Sequence, residues 1–265
     1  MNEKRDVILR GLIYDGEVSL SVADTTALVN AAIRIHDLSP LAAAALGRTL
    51  TVAADMWSSL KTGGSALSVS IKGDGAGGPI YVSGDKELHM RGYIDDPHVS
   101  LPPNALGKLD VGGCVGQNGT LTVVRDDGDN IPFVGTTPLV SGEIGEDFAA
   151  YFAYSEQLPT AIAAGRKVSK EGECLGAGGV CLQPMPGAGE ESIAKAERAI
   201  GQFSAVSSLL ESMSAEELAE KYFGKVDFYA QIPEYKCNCS RNYIEGVLAA
   251  MGAEELRSII REQGK

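Results

Sequence analysis

A segment rich in proline and glycine, PMPGAG at residues 184–189, separates two parts of the sequence with different hydrophobic patterns. Before it, apolar and polar residues alternate over short stretches, which is typical of half-buried strands. After it, apolar residues recur at the three- and four-residue spacing of amphipathic helices. Because proline and glycine interrupt both kinds of element, this segment is the clearest domain boundary. We therefore predict a first domain at residues 1–185.

The first domain is predicted to be α+β, with helices and a mostly antiparallel sheet. Ser39 and Pro40 suit the N-cap and the first position of a helix, which predicts a long, buried helix over residues 41–60. A shorter helix is expected before it, at about residues 25–34. Strands are predicted at residues 67–71, 80–82, 88–94, 120–125, 131–134, 167–168 and 179–183, with a polar turn at 126–130 and a helix at 146–154.

Residues 186–231 are predicted to form a helical linker. Ser214 and Glu217 match a capping box, which predicts a short helix that Gly224 ends. Before it, a set of apolar residues at helical spacing defines an amphipathic stripe: Ile193, Ile200, Phe203, Val206, Leu210 and Met213. Such a stripe most simply packs against a neighbouring element, and it would become a binding surface where that packing is lost.

Residues 232–265 are predicted to form a small C-terminal module. It opens with Cys237 and Cys239, and two short helices follow at residues 241–251 and 253–263. Antiparallel helices of this length would return the end of the chain close to the cysteine pair. So short a hairpin has few large apolar residues, so we expect it to need a metal or another partner for stability.

The cysteine pair is the strongest chemical signal in the sequence. Five cysteines are an odd number in a chain without an export signal, which favours thiol, metal or redox chemistry over a structural disulfide framework. Thiolates one residue apart, as at Cys237 and Cys239, can bind one zinc ion, but structural zinc is tetrahedral and takes more ligands than this pair supplies. The histidines all lie in the first domain: His36, His89 and His98.

Two other interpretations of the pair follow from the residues alone. Cys237 and Cys239 could exchange with disulfide substrates in a thiol-disulfide redox enzyme, or hold zinc in an interaction module. The sequence contains neither G-x-S-x-G nor H-E-x-x-H, the motifs of nucleophilic and zinc-dependent hydrolysis. The sequence therefore predicts no hydrolase, and the thiol-disulfide enzyme stays an open alternative.

The composition excludes several classes of partner. A formal charge of −12 and a pI near 4.8 argue against nucleic-acid binding, which needs a basic surface. No apolar run approaches the roughly 20 residues of a membrane span, so no membrane partner is expected. The apolar stretch at residues 7–9 is too short for a secretory signal, so we expect a cytoplasmic protein.

Other candidate residues have simpler structural explanations. Residues 73–78 match G-x-G-x-x-G, but a candidate strand follows, which predicts a hairpin turn instead of a dinucleotide site. His98 is explained as a surface-loop residue. Trp57 and Cys181 are predicted to be buried, whereas Cys114, between glycines, is expected to be more exposed. Acidic residues near a predicted helix start are explained by their interaction with its dipole: Glu143, Glu146 and Asp147.

With these features in place, the sequence resembles the redox-regulated heat-shock holdases of the 33 kDa chaperonin family. The resemblance extends from near the N-terminus to Lys265, and the order of its pieces is more specific than any one of them. They are Ser39-Pro40 with Leu46-Gly47-Arg48, Gly73-Asp74-Gly75, Arg91-Gly92-Tyr93, Gly119-Thr120-Leu121, Tyr151-Phe152 with Ser155-Glu156-Gln157, Ala177-Gly178-Gly179 with Gln183 and Pro186-Gly187, and Cys237-Asn238-Cys239-Ser240.

The resemblance implies an ATP-independent molecular chaperone, not an enzyme, that protects unfolding client proteins from aggregation under oxidative stress. In this family the reduced protein is inactive and holds zinc through two pairs of cysteine thiolates. Oxidation pairs the cysteines in disulfide bonds, releases zinc, unfolds the C-terminal domain and loosens the linker, and active members commonly form homodimers. For this sequence the resemblance implies that Cys237 and Cys239 are two zinc ligands and two positions of the redox switch.

The sequence departs from the family pattern at the switch. The family's second cysteine pair, C-x-x-C, is absent after the second predicted helix, so Cys237 and Cys239 supply half of the family's zinc site. Ser19 also stands where the family usually has arginine. We therefore expect residues 232–265 to be an incomplete redox-switch domain that binds little zinc. We expect it to be loosely held, or ordered only by packing on the linker.

Overall fold

The computed structural model of the protein describes residues 6–59, 66–126, 131–169, 172–237 and 240–263. Within these ranges the strands are β1 (Val7–Ile13), β2 (Val18–Asp24), β3 (Ala66–Lys72), β4 (Ile80–Asp85), β5 (His89–Ile94), β6 (Thr120–Asp126), β7 (Phe133–Pro138), β8 (Ala161–Val168), β9 (Cys174–Pro184), β10 (Tyr229–Gln231) and β11 (Glu234–Tyr235). The helices are α1 (Thr26–His36), α2 (Pro40–Ser58), α3 (Val111–Val115), α4 (Gly145–Tyr151), α5 (Glu190–Ile200), α6 (Val206–Ser212), α7 (Ala215–Phe223), α8 (Arg241–Met251) and α9 (Ala253–Gln263).

The described strands form two sheets. The first sheet has the order β10-β1-β2-β9-β8, and the second has the order β11-β5-β4-β3-β6-β7. Neighbouring strands are antiparallel except for β11, which is parallel to β5. The α+β class and the mostly antiparallel pairing are therefore confirmed. The expectation of one sheet is corrected to two, because β1 and β2 were not anticipated.

Helix α2 lies between the two sheets and is buried along almost its whole length. The Oγ of Ser39 accepts a hydrogen bond from the backbone N–H of Ala42 at 3.2 Å, and Pro40 occupies the first turn, as predicted. Small alanine side chains let both sheets approach the helix closely, and Trp57 fills the core near its end. The long predicted helix is therefore the centre of the main hydrophobic core.

The second sheet follows the alternation of its strands. In β3, Leu67, Val69 and Ile71 are buried, while their neighbours are exposed or half-buried. Residues 73–78 connect β3 to its antiparallel partner β4, which confirms a hairpin turn. Most of the polar turn predicted at 126–130 lies outside the described residues.

Helices α5 to α7 cover the face of the first sheet that points away from α2, and we call these three helices the cover. In β1, Ile8 belongs to the core around α2, whereas Leu9 belongs to a second apolar cluster with Phe203, Val206 and Leu210 of the cover. Neighbouring strand residues point to opposite faces, so both faces of this sheet are buried. The predicted stripe is not one helix, because a turn of 3-10 helix at Gly201–Phe203 separates α5 from α6.

The predicted capping box at the start of α7 is confirmed. Ser214 Oγ accepts from the backbone N–H of Glu217 at 3.2 Å, and the Glu217 carboxylate accepts from the backbone N–H of Ser214 at 2.8 Å. Gly224, with a φ of 77°, ends the helix. Within the region predicted as a helical linker, residues 229–231 form strand β10 on the edge of the first sheet.

The chain separates into two units, one ending at Tyr235 and one beginning at Lys236. In the second unit, α8 and α9 span the predicted residues and meet at Gly252, whose φ is 83°. Five of its large apolar side chains are between about two-fifths and three-fifths exposed, and none of its described side chains is buried: the five are Ile244, Val247, Leu248, Met251 and Ile260. The unit therefore has little core of its own. The domain boundaries predicted at residues 185 and 231 stay predictions.

Candidate functional site

The C-terminal unit begins with the predicted thiol switch. Cys237 is exposed and lies four residues before α8, which begins at Arg241. Cys239 lies outside the described residues. The prediction that these two thiols act together therefore stays a prediction, and it rests on their spacing in the sequence.

The other three cysteines are buried in the first unit. Burial raises the pKa of Cys114 to about 11, and it raises the pKa of Cys181 well above its ordinary value. Burial also raises the pKa of Cys174, although nearby Arg166 opposes the change. A thiol is reactive as its thiolate, so these three side chains are protected both by their surroundings and by their protonation.

The expectation that Cys114 is more exposed was wrong. Cys114 is 0% exposed, because the hairpin turn at residues 73–78 packs against the short helix that carries it. A Cβ at Gly77 would lie 2.6 Å from Cys114 Sγ, so glycine permits this close contact. The glycines around Cys114 indicate tight backbone packing and not exposure. Cys181 is buried as predicted.

We expect a thiol-selective alkylating reagent to modify Cys237 in the folded protein long before Cys114, Cys174 or Cys181. At pH 8 a thiol of pKa about 11 has about 100-fold less thiolate than one at its ordinary pKa of 9.0, before any steric protection. Mass spectrometry of peptides after timed labelling checks this order. Unfolding in urea should abolish it, and labelling of Cys114 as fast as Cys237 in the folded chain would contradict it.

The two thiols of the C-terminal unit fit a zinc site in their donor chemistry and supply two of its four donors. Thiolates are preferred zinc ligands, and the unit contains Cys237 and Cys239 but no histidine. The remaining cysteines are buried in the first unit, where they support other packing. The pair therefore supplies half of a tetrahedral set.

Among the described residues, one group brings three potential metal ligands together, and it is not a thiol site. Asp85, Glu87 and His89 lie at the turn between β4 and β5, with ligand atoms within 4.8 Å of one another. The Asp85 carboxylate accepts from the backbone N–H groups of Glu87 and His89, and it contacts His89 Nδ1 at 3.1 Å. These hydrogen bonds hold the tight turn, in which Leu88 has a φ of 59°.

The remaining sequence candidates have structural roles. His98 is exposed in a loop. Glu143 forms an ion pair with Arg48, with a distance of 2.6 Å from Oε2 to Nη1. Asp147 is buried and accepts hydrogen bonds from four backbone N–H groups before and at the start of α4, while its neighbour Glu146 is exposed. The predicted charge at this helix start is confirmed.

The most extensive candidate binding surface is the apolar face beneath the cover. Phe203 is 1% exposed and packs against Tyr222 and Phe223, with ring centroids 4.9 and 5.7 Å away. Below these rings lie apolar strand residues of the first sheet: Leu9, Val18, Leu20, Val22, Val180 and Leu182. The cover consists of short helices, which have little stability without this packing. Its loss would expose a wide apolar surface.

The chain matches the family model described as Hsp33 protein over residues 6–265. It is 40% identical to the 33 kDa chaperonin of Clostridium novyi over 261 residues, which cover 97% of this chain and 89% of the relative. It is 41% identical to the 33 kDa chaperonin of Caldanaerobacter subterraneus over 262 residues, with the same coverage of each chain.

The crystal structure of the Hsp33 homologue from Thermotoga maritima superposes with a TM-score of 0.88 at 34% sequence identity. It covers 98% of this chain and 89% of that chain. The family model and the named relatives define a stress-response molecular chaperone, a holdase and not an enzyme. The chain belongs to the Hsp33 family.

Proposed function

We propose that this chaperone is controlled by oxidation and that its clients bind the apolar face of the first sheet. The observation that carries the proposal is the cover, three short helices that bury this face and precede the cysteine pair in the sequence. Because unfolded proteins expose apolar side chains, a wide apolar face can hold them without recognising one sequence. No nucleotide is needed, since the apolar face is already formed beneath the cover and has only to be exposed.

The proposed switch is the thiol pair. Oxidation of Cys237 and Cys239 by hydrogen peroxide would break two S–H bonds and form one S–S bond, with two protons and two electrons passing to the peroxide, which is reduced to two molecules of water. A disulfide between residues so close restricts the backbone just before α8. The C-terminal unit has few buried apolar side chains with which to resist this change. We propose that its loss of order loosens the cover.

The proposed switch involves zinc only through the chemistry of its thiol ligands. Cys237 and Cys239 would hold the ion together with two further donors, and the bound metal would keep both sulfurs as thiolates and add stability to the small unit.

Among the described residues, no helix is both long enough and apolar enough to cross a membrane. We propose that the protein works in the cytoplasm on partly unfolded clients, and as a homodimer when active.

The test is light scattering from a chemically unfolded client enzyme diluted into the reduced or the peroxide-treated protein. We expect the oxidised chain to suppress aggregation more strongly than the reduced chain. Cys237→Ser leaves Cys239 without its partner, so the response to oxidation should be lost. Cys181→Ala removes a buried thiol of the first sheet and should keep the response.

Two results would contradict this proposal. Failure to suppress aggregation in either redox state would exclude holdase activity. A full response to oxidation in Cys237→Ser would exclude the thiol pair as the switch.

A further inference from the structure

One short segment closes an edge of both sheets. Residues 229–235, which we call the edge cap, contain β10 on the outer edge of β1 and β11 on the outer edge of β5. The edge cap lies between the cover and Cys237 in the sequence. Neither of its strands was anticipated, because each is too short to have a periodic pattern.

The pairing of the edge cap is short and is made largely by the main chain. β10 pairs through three residues, with Ala230 opposite Leu9, and β11 pairs through two, with Tyr235 opposite Met90. Tyr229 is 66% exposed and Ile232 is 54% exposed, so these side chains contribute little packing. Few buried side chains and few hydrogen bonds are the properties of a segment that opens locally at low cost.

Tyr235 is the main polar anchor of the edge cap. Its hydroxyl donates to the carbonyl oxygen of Gly92 at 2.9 Å and lies 2.8 Å from His36 Nε2. The next residues in the sequence are Lys236 and Cys237, where the C-terminal unit begins. A loss of order in that unit therefore frees the chain immediately after the anchor.

An opened edge presents a row of unpaired backbone N–H and C=O groups. An extended peptide of almost any sequence can pair with such an edge, because the hydrogen bonds involve only main-chain atoms. Unfolded polypeptides contain many such extended segments. The edges of β1 and β5 already pair with an extended segment of their own chain. Pairing also differs from apolar burial, because it fixes a client segment in an extended form.

We propose that the outer edges of β1 and β5 bind extended segments of unfolded client proteins as added strands, and that the edge cap occupies these edges until the switch opens. This inference rests on the proposed function and adds a second mode of contact to the apolar face. The occupant is unfolded polypeptide, recognised by its backbone. Residues 229–235 are its intramolecular competitor.

A peptide competition with the full oxidised chain tests the proposal. A synthetic peptide of residues 227–236 should compete with an unfolded client and raise the concentration of chaperone needed to suppress light scattering by about threefold or more. The same peptide, N-methylated at alternate residues, keeps its side chains but loses half of its donors, and it should have no effect. Hydrogen exchange should show client-dependent protection of backbone amides in β1 and β5.

Variants of the edge cap test the same proposal in the reduced protein. Tyr235→Phe removes the anchoring hydroxyl but keeps the ring, and amide exchange in β5 should rise by about tenfold. Tyr229→Phe, the same change at an exposed ring of the edge cap, is the matched control and should leave exchange unchanged. Gly11→Ala should open the edge of β1 by displacing the residues just before the edge cap. The added Cβ would lie 2.6 Å from Val226 Cγ1 and 2.9 Å from the backbone oxygen of Asp227.

The outcomes separate this inference from the proposed function. If the oxidised chain suppresses aggregation but neither peptide competes and the amides of β1 and β5 gain no protection, the strand-addition proposal is wrong and the holdase stands. Protection of these edges without client, rising with protein concentration, would assign them to a second copy of the chain instead. No suppression of aggregation in any state would overturn both proposals.

Discussion

Phe203→Ala is expected to make the reduced protein hold clients without oxidation. Phe203 is almost fully buried at the centre of the cover, where it contacts Tyr222 and Phe223 above the first sheet. Removing a buried phenyl ring costs about 3–5 kcal/mol, because its transfer energy is lost and a cavity remains. The cover is made of short helices, so this loss should raise the population of its open form by about 100-fold or more.

Light scattering with the chain kept under reductant measures this effect, and hydrogen exchange of β2 and β9 reports the opening directly. Phe133→Ala is the matched control, because it removes the same ring from a side chain of the second sheet that is 45% exposed. The Arg125 guanidinium lies over this ring. It should leave the reduced protein inactive. If Phe203→Ala accelerates exchange in β2 and β9 but does not hold clients, the client surface does not lie under the cover.

Asp147→Ala is expected to destabilise the first unit without changing its response to oxidation. The Asp147 carboxylate is 0% exposed. It accepts from the backbone N–H groups of Val140, Ser141, Gly142 and Ile144 at 2.8, 3.1, 3.3 and 2.9 Å. Alanine leaves these donors without an acceptor, which should lower the free energy of unfolding by about 3–5 kcal/mol.

Urea denaturation followed by circular dichroism checks this value. Asp147→Asn keeps one acceptor oxygen and should have an intermediate effect. Glu146→Ala removes a neighbouring exposed carboxylate from the same helical turn and should change stability by less than about 0.5 kcal/mol. Equal losses in Asp147→Ala and Glu146→Ala would contradict a specific role for the buried carboxylate.

The elements that could be predicted from the sequence are those with strong local signals. The cap at Ser39, the alternation in β3 and the capping box at Ser214 each specify a conformation through neighbours within a few residues. Helices α8 and α9 were also placed at their observed bounds, because Gly252 interrupts a helical pattern. Local rules were sufficient in these places.

The elements that were missed depend on distant contacts. Strand β2 is an exception, because Val18, Leu20 and Val22 alternate with Ser19 and Ser21, so the two-residue pattern was present and this strand could have been predicted from the sequence. Strands β10 and β11 exist only through pairing with β1 and β5, which lie far away in the sequence. Cys114 was misplaced for a related reason, because the loop that buries it comes from residues 73–78.

The position of α2 between the sheets has a consequence for how a client leaves. Because both sheets pack on this helix, the cover can open while the main core stays folded. In the proposed mechanism, cover and client compete for one face, so refolding of the cover would supply the free energy that expels the client. A chaperone built in this way couples client release to its own refolding instead of to nucleotide hydrolysis. The stability of the three short helices therefore limits how tightly a client can bind and still be released.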